Sequence, residues 1–443
     1  MGNCRHFGIC GLSDDANPKE GLCILHLRGP HKDEKVFREA LDAHRKERGN
    51  NFEYIVFPEK ISFGQITFSD PANFFGATFG AGANFRGATF SQGADFQHAT
   101  FIGGVDFSGA KFIKEAILLD VTFSEEADFM GATFTKGADF FGARFTKGAF
   151  FWAATFSGGA NFGKVTFAEG ADFKDASFDS GEVIFEDSTF RGRTLFTSRK
   201  DENKTNKVFS GAEKVNFKSV IIDPPGALTF IEADLKKCLF LNTNLERVNF
   251  CAVDWPDIKG RIGVYDEKRL DEEEEKAGKG KREKGILLVQ LERLYRELKK
   301  NYEDNRDYER AGHFHYGEKE MRRRNPETGI GFYCLLTLYW LMGGYGERWV
   351  RPLIWIIVLL AVSTFGYLWL GLFPAGGKQP LSWRIFSDWL TASLYSFQVI
   401  FLLRPDELIL TGLEAKALHT TQSLLGPLLI ALLVLGVRQK LKR

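Results

Sequence analysis

A phenylalanine recurs through the middle of this chain at alternating intervals of five and six residues, a spacing that neither an ordinary helix nor an ordinary strand accommodates. From Phe74 the series runs Phe79, Phe85, Phe90, Phe96, Phe101, Phe107 and Phe112. It resumes at Phe123, Phe129, Phe134, Phe140, Phe145, Phe151, Phe156, Phe162, Phe167, Phe173 and Phe178. Leu118 takes one phenylalanine position, and one extra residue shifts the frame before Phe185 and Phe190. The unit reads G-A-D/N-F-x-G-A-x-F-x-x, as in Gly82–Ala83–Asn84–Phe85 and Gly137–Ala138–Asp139–Phe140. The excess of phenylalanine in the chain, 43 against 11 Tyr and 8 Trp, is therefore one residue type reused at one structural position.

An eleven-residue apolar period also describes a right-handed helical supercoil. Glycine in every unit, with Phe, Thr and Asn/Asp elsewhere, argues against it, because these are turn and strand formers. The expected fold is a coiled β-solenoid. Phenylalanine fills the axis, alanine allows a tight bend, and Gly and Asn/Asp take the corners. Each ring then stacks on the ring one coil away, at about 4.8 Å. Over 233–252 the frame shortens to five: Leu235, Phe240, Leu245 and Phe250, with Ala233, Cys238, Thr243 and Val248 two residues before each. This A-D-L-x-x pattern resembles the pentapeptide-repeat family, and segment 63–196 resembles its phenylalanine-rich variant. The resemblance implies a right-handed quadrilateral β-helix over 63–256. Two eleven-residue units would make a coil, and about eleven units a rod of about 25–30 Å. Arg199–Lys207 breaks the pattern and is expected to be a surface loop.

Nothing in the repeats resembles a catalytic set. The Asp of ADF recurs in every unit, as turn residues do, and the Gly-rich stretches lack the strand–turn–helix context of a phosphate loop. An enzyme is not expected. The net charge of +1 gives no bulk attraction for nucleic acid. Members of the family that mimic DNA would need an acidic rod, and here Arg86, Lys111, Lys114, Lys136, Arg144 and Lys147 interrupt the acid. The flat solenoid faces are instead expected to offer surface to a protein partner.

Residues 1–62 are read as a patch and cap at the open end of the solenoid. Three of the six cysteines fall here, and their distribution is not a disulfide framework. Cys4, Cys10, Cys23 and His26, spaced C-x5-C-x12-C-x2-H, form a candidate structural zinc site stapling a segment too small for its own core. His6 is an alternative ligand, and unrelated thiols are the other reading. No apolar h-region marks a signal peptide, and His6 occupies the position where myristoylation of Gly2 would want Ser or Thr. An amphipathic helix over Lys32–Arg48, with Phe52–Phe63, is expected to cap the solenoid.

Beyond Trp255–Pro256, residues 257–285 are charged and are read as a flexible linker. Residues 286–325 form a helical pair similar to a single tetratricopeptide-type hairpin, expected to dock on the solenoid or on another subunit. Residues 330–443 read as a membrane domain. It has an interfacial helix at 330–342, a span at 352–373, a re-entrant helix at 383–403 and a span at 417–437. Arg322, Arg323, Arg324, Arg348 and Arg351 precede the first span, and Arg438, Lys440, Lys442 and Arg443 follow the last. Both termini and the solenoid are therefore expected on the cytoplasmic side of the plasma (inner) membrane. Span, half-span and span resembles the potassium-channel pore module, with Thr391–Ser396 as pore helix and Gly426 as inner-helix hinge. That implies a homo-oligomer, a tetramer by analogy. The T-x-G-Y-G-D filter is absent, and Phe401–Asp406 stands in its place, so potassium selectivity is not implied. Gln398, Arg404, Asp406 and His419 are the candidate pore-lining residues. The alternative is a membrane-anchored scaffold without conduction.

Overall fold

The computed structural model describes residues 4–6, 22–27, 32–198, 207–276, 281–370, 372–374, 380–403, 408–409 and 412–441. The chain divides into two compact units, Met1–Lys279 and Gly280–Arg443.

The first unit is a four-sided β-solenoid. Strands of mostly two residues, such as Thr67–Phe68, Ala72–Asn73, Thr78–Phe79 and Ala83–Asn84, occupy successive sides of each coil. They stack into four parallel sheets of eight, nine, six and eight strands. Val56 pairs with Thr78 and Thr78 with Thr100, so two eleven-residue units close one coil. The extra residue before Phe185 is absorbed in one step, Ala160 to Val183. At the far end Thr229 pairs with Asn249, a coil of four pentapeptides.

Inside, the rings form four columns. Phe57, Phe79, Phe101 and Phe123 stack at 4.8, 4.5 and 5.2 Å with planes within 7°. Across the axis Phe74 meets Phe85 edge-on, at 5.4 Å and 87°. Each ring thus has parallel neighbours above and below and a perpendicular one beside it, the arrangements that ring quadrupoles favour. Leu118 is fully buried, in the gap between Phe96 and Phe140. The recurrent acids are turn residues. Asp95 Oδ1 accepts the Gln97 N–H (2.9 Å), Asp106 that of Ser108 (2.8 Å) and Asp139 that of Phe141 (3.0 Å). Corners of each coil are left-handed, one series being Gly76, His98, Asp120, Gly142 and Lys164, all with φ between 53° and 72°. Glycine or a short polar residue suits that conformation best.

Both ends are covered. Helix α1 (Glu34–Arg48) starts at the Asp33 cap and buries Phe37, Leu41 and His44. Phe37 sets its edge against Phe57, at 6.1 Å. At the other end Trp255 packs on Phe240 and Phe250. Here the expected linker is corrected: within 257–285, residues Tyr265–Lys276 form helix α2. Its first turn buries Asp266 and Glu267. Asp266 accepts the N–H groups of Phe240 (2.9 Å) and Leu241 (3.1 Å), and Glu267 meets Arg261 at 2.7 and 2.5 Å. The last coil ends in backbone donors that need acceptors, and the acidic run supplies them. Residues 277–280 lie outside the described residues.

The second unit is helical. Helices α3 (Lys281–Asp304) and α4 (Tyr308–Arg324) bury Leu288, Leu291, Leu294, Tyr295 and Leu298 with Ala311, Phe314 and Met321. Gly317 admits the Tyr295 ring, which a Cβ would meet at 2.5 Å. Next come α5 (Ile330–Gly343), a tight turn at Gly344–Gly346, α6 (Val350–Leu370), α7 (Phe386–Ile400) and α8 (Leu413–Leu441). By length and composition α6 and α8 are able to cross a membrane, with mean hydropathy 2.2 and 1.8.

Candidate functional site

The expected membrane segments place polar residues among apolar ones, and the structure gathers several into one core. Tyr367 on α6 donates to Gln422 Oε1 on α8 at 2.7 Å. Gln422 Nε2 in turn donates to the Ser396 carbonyl (3.0 Å) and hydroxyl (2.5 Å) on α7. All three side chains are fully buried. Polar groups surrounded by apolar helices must find partners among themselves, and this triad ties all three helices together. His419 Nδ1 pairs with the Tyr395 hydroxyl at 3.1 Å, and Tyr395 meets Tyr367 edge-on at 5.0 Å. Of the sequence candidates, half-buried His419 thus borders the core through Tyr395, while Gln398 is half-buried on α7 and takes no part in the triad. Arg404 and Asp406 lie outside the described residues. Tyr367, Ser396 and Gln422 were missed by the sequence reading. Gln422 stands in a polar stretch with His419, Thr420, Thr421 and Ser423, so no isolated amide marked it.

Gly426, the expected hinge, has a packing role. It is buried, and a Cβ there would lie 2.8 Å from the Ile400 Cα and 2.9 Å from its carbonyl oxygen. The C-terminal end of α7 thus rests directly on the α8 backbone, next to the in-helix Pro427. Gly426→Leu should displace α7 and destabilise the bundle by about 1–3 kcal/mol, as overpacking does. Gly331→Leu, where nothing lies within 4 Å, should be near neutral. Thermal unfolding of the two variants in detergent compares them directly.

A second cluster fixes the helical pair to the rest of its unit. Gly344, Tyr345 and Gly346 are left-handed in succession (φ 53°, 59° and 82°), which turns the Tyr345 side chain inward. Its hydroxyl donates to Glu320 (3.0 Å) and accepts from Arg323 (3.1 Å). Burial, then the Glu320 charge, push this phenol well above its usual range. Trp340 on α5 donates to the Tyr316 hydroxyl at 2.7 Å, and Arg351 to the Trp340 carbonyl at 2.7 Å. Within its own unit the pair therefore docks on α5 and this elbow. Nearby, burial works to raise the Glu318 carboxyl, but His315, Lys319 and Lys299 hold it down at about 2.

The third cluster is at the start of the chain. Cys4, Cys23 and His26 are buried together, with all their ligand atoms within 4.8 Å of one another. His6 packs at a tilt against His26 and Tyr54, with ring centroids 4.6 and 4.8 Å away. Cys10 lies outside the described residues. Beside the cluster the Lys32 ammonium donates to the carbonyls of Leu25 (2.9 Å) and Val56 (2.5 Å), and burial draws its pKa down to about 7.

Among known protein families, the one described as Pentapeptide repeats (9 copies) matches residues 52–100, 96–144 and 151–198. No curated protein and no solved structure matches the chain.

Proposed function

From the premise that residues 52–198 are pentapeptide repeats wound on a phenylalanine core, we propose that this protein is a two-span membrane protein. It displays its solenoid in the cytoplasm and carries a pore-like, homo-oligomeric membrane module. The observation that carries the reading is α7. Its 15 residues extend about 22 Å at 1.5 Å per residue, short of a hydrocarbon core of about 30 Å, yet it packs against both α6 and α8. A half-span held between two spans is the layout of a two-helix pore subunit. On the protomer Phe386, Leu390, Leu394 and Phe397 leave an apolar stripe of α7 uncovered, for lipid or a neighbouring copy. Arg322, Arg323, Arg324, Arg348 and Arg351 before α6, with Arg438 and Lys440 at the end of α8, support cytoplasmic termini. The clusters described suggest no catalytic role.

A second reading, a membrane-anchored scaffold, is favoured by two observations. The triad of Tyr367, Ser396 and Gln422 is satisfied within one protomer. On the solenoid Met130, Phe150 and Trp152 are exposed on neighbouring coils, as a docking surface would be.

Purified protein in liposomes separates the two. The pore reading expects an oligomer in detergent and ion flux that depends on the protein. A monomer without flux leaves the scaffold. Protease added to intact cells should leave the solenoid whole, and added to inverted vesicles should remove it. The reverse pattern, or recovery of the chain in the aqueous fraction without detergent, overturns both.

A further inference from the structure

We propose that Cys4, Cys23 and His26 bind a zinc-class divalent cation that staples the N-terminal segment onto the first coil of the solenoid. The spacing alone left zinc and unrelated thiols equally open, and the geometry separates them. His26 Nδ1 lies 3.5 Å from Cys4 Sγ and 3.1 Å from Cys23 Sγ. A tetrahedral site with Zn–S of about 2.3 Å and Zn–N of about 2.0–2.1 Å sets sulfur and nitrogen about 3.5 Å apart. Two sulfurs converge on one ring nitrogen, which has either one lone pair or one hydrogen. A cation at the centre would be held by both sulfurs and the ring nitrogen at once.

The surroundings fit the same assignment. Cys4, Cys23 and His26 are each at least 97% buried, and the Cys23 N–H points at Cys4 Sγ from 3.4 Å, as a donor to a thiolate would. The N–H groups of His26 and Leu27 bond to the Cys23 carbonyl, forming the turn that brings positions 23 and 26 to one side. The next link holds the segment to the solenoid: Val56 donates to the Leu25 carbonyl at 2.9 Å, one residue before the Phe57 column begins. Binding releases one proton from each thiol. The two thiolates then balance the charge of the cation, so the buried site is neutral. The described residues provide three corners. The fourth falls to water or to a donor outside them.

The full chain, purified in detergent without chelator, should carry about one zinc per chain. Cys23→Ser and His26→Ala should each lose most of it, while Cys251→Ser, an exposed cysteine at the opposite end of the solenoid, should keep it. Folding of the variants need not be assumed, because removal of zinc from the wild type is a separate test. A strong chelator should open the peptide before Glu34 to protease and leave the solenoid intact, and added zinc should restore protection. Cobalt(II) added to the stripped wild type should give a thiolate charge-transfer band that weakens in Cys23→Ser. The proposal is overturned by wild-type protein that stays zinc-free when purified with zinc present, by equal zinc in Cys23→Ser, or by a Cys4–Cys23 disulfide in protein kept reduced.

Discussion

Phe129→Ala is expected to destabilise the solenoid by about 3–5 kcal/mol, the range for deleting a buried aromatic ring. Phe129 stacks between Phe107 (5.1 Å) and Phe151 (4.9 Å) and meets Phe140 edge-on at 5.5 Å. The rings above and below cannot close on the gap. Their coils are held at fixed spacing by ladder bonds such as Phe107 N–H to the Asp128 carbonyl and Phe129 N–H to the Phe150 carbonyl, both 2.7 Å. The cavity therefore persists, which is what makes such truncations expensive. Phe129→Leu should cost much less, because Leu118 already fills a column position in full burial. Each coil contacts only its neighbours, so a defect in the middle should also split unfolding into two steps. Urea unfolding followed by circular dichroism checks both the loss and its shape. A loss below about 1 kcal/mol would mean that the columns do not hold the rod together.

Asp266→Ala is expected to loosen the C-terminal cap by about 2–6 kcal/mol, since the buried N–H groups of Phe240 and Leu241 lose their acceptor at about 1–3 kcal/mol each. The same carboxyl gives the cap a pH signature. Burial raises its pKa to about 6, against 3.8 for an ordinary aspartate, although the N–H groups of Phe240 and Leu241 oppose the rise. Between these values the folded chain holds a proton that the unfolded chain has released. The contribution is therefore greatest below about pH 4 and is lost as pH rises through about 6. Other carboxylates titrate in the same window, so the measurable quantity is a difference. Wild type minus Asp266→Asn stability should increase as pH falls from 7 to 5, by hydrogen exchange at residues 238–241. A flat difference would place Asp266 in solvent.

Most of the solenoid was legible because its rule is local and repeated. The alternation of five and six residues leads directly to a coil of two units, and even the slip before Phe185 appears as one longer step. Leu118 was identifiable as a substitute because every neighbour declared the register. The cap was not legible. Asp266 and Glu267 sit in an acidic run that reads as solvated, and only the unpaired donors of the last coil explain why these two are buried. Gly426 carried the same ambiguity, since one glycine beside a proline suits a hinge and a close contact equally. Gln422 was hidden among His419, Thr420, Thr421 and Ser423, and its partners Ser396 and Tyr367 come from other helices. Cys4 and Cys23, nineteen positions apart, acquire meaning only when folding brings both to His26.

The coil closes after two units, so the solenoid has fixed graduations. Removing a whole turn, such as residues 90–111, would shorten the ruler by one mark and leave every later side chain on its original compass bearing. Removing a single unit of eleven would swing everything downstream through half a revolution. A surface patch such as Phe150 and Trp152 would then face away from whatever it normally meets, although each ring would still find a ring to stack on. Duplication and loss can therefore change the reach of this arm in whole steps without changing its aim, and half steps reverse the aim while stability barely registers the difference.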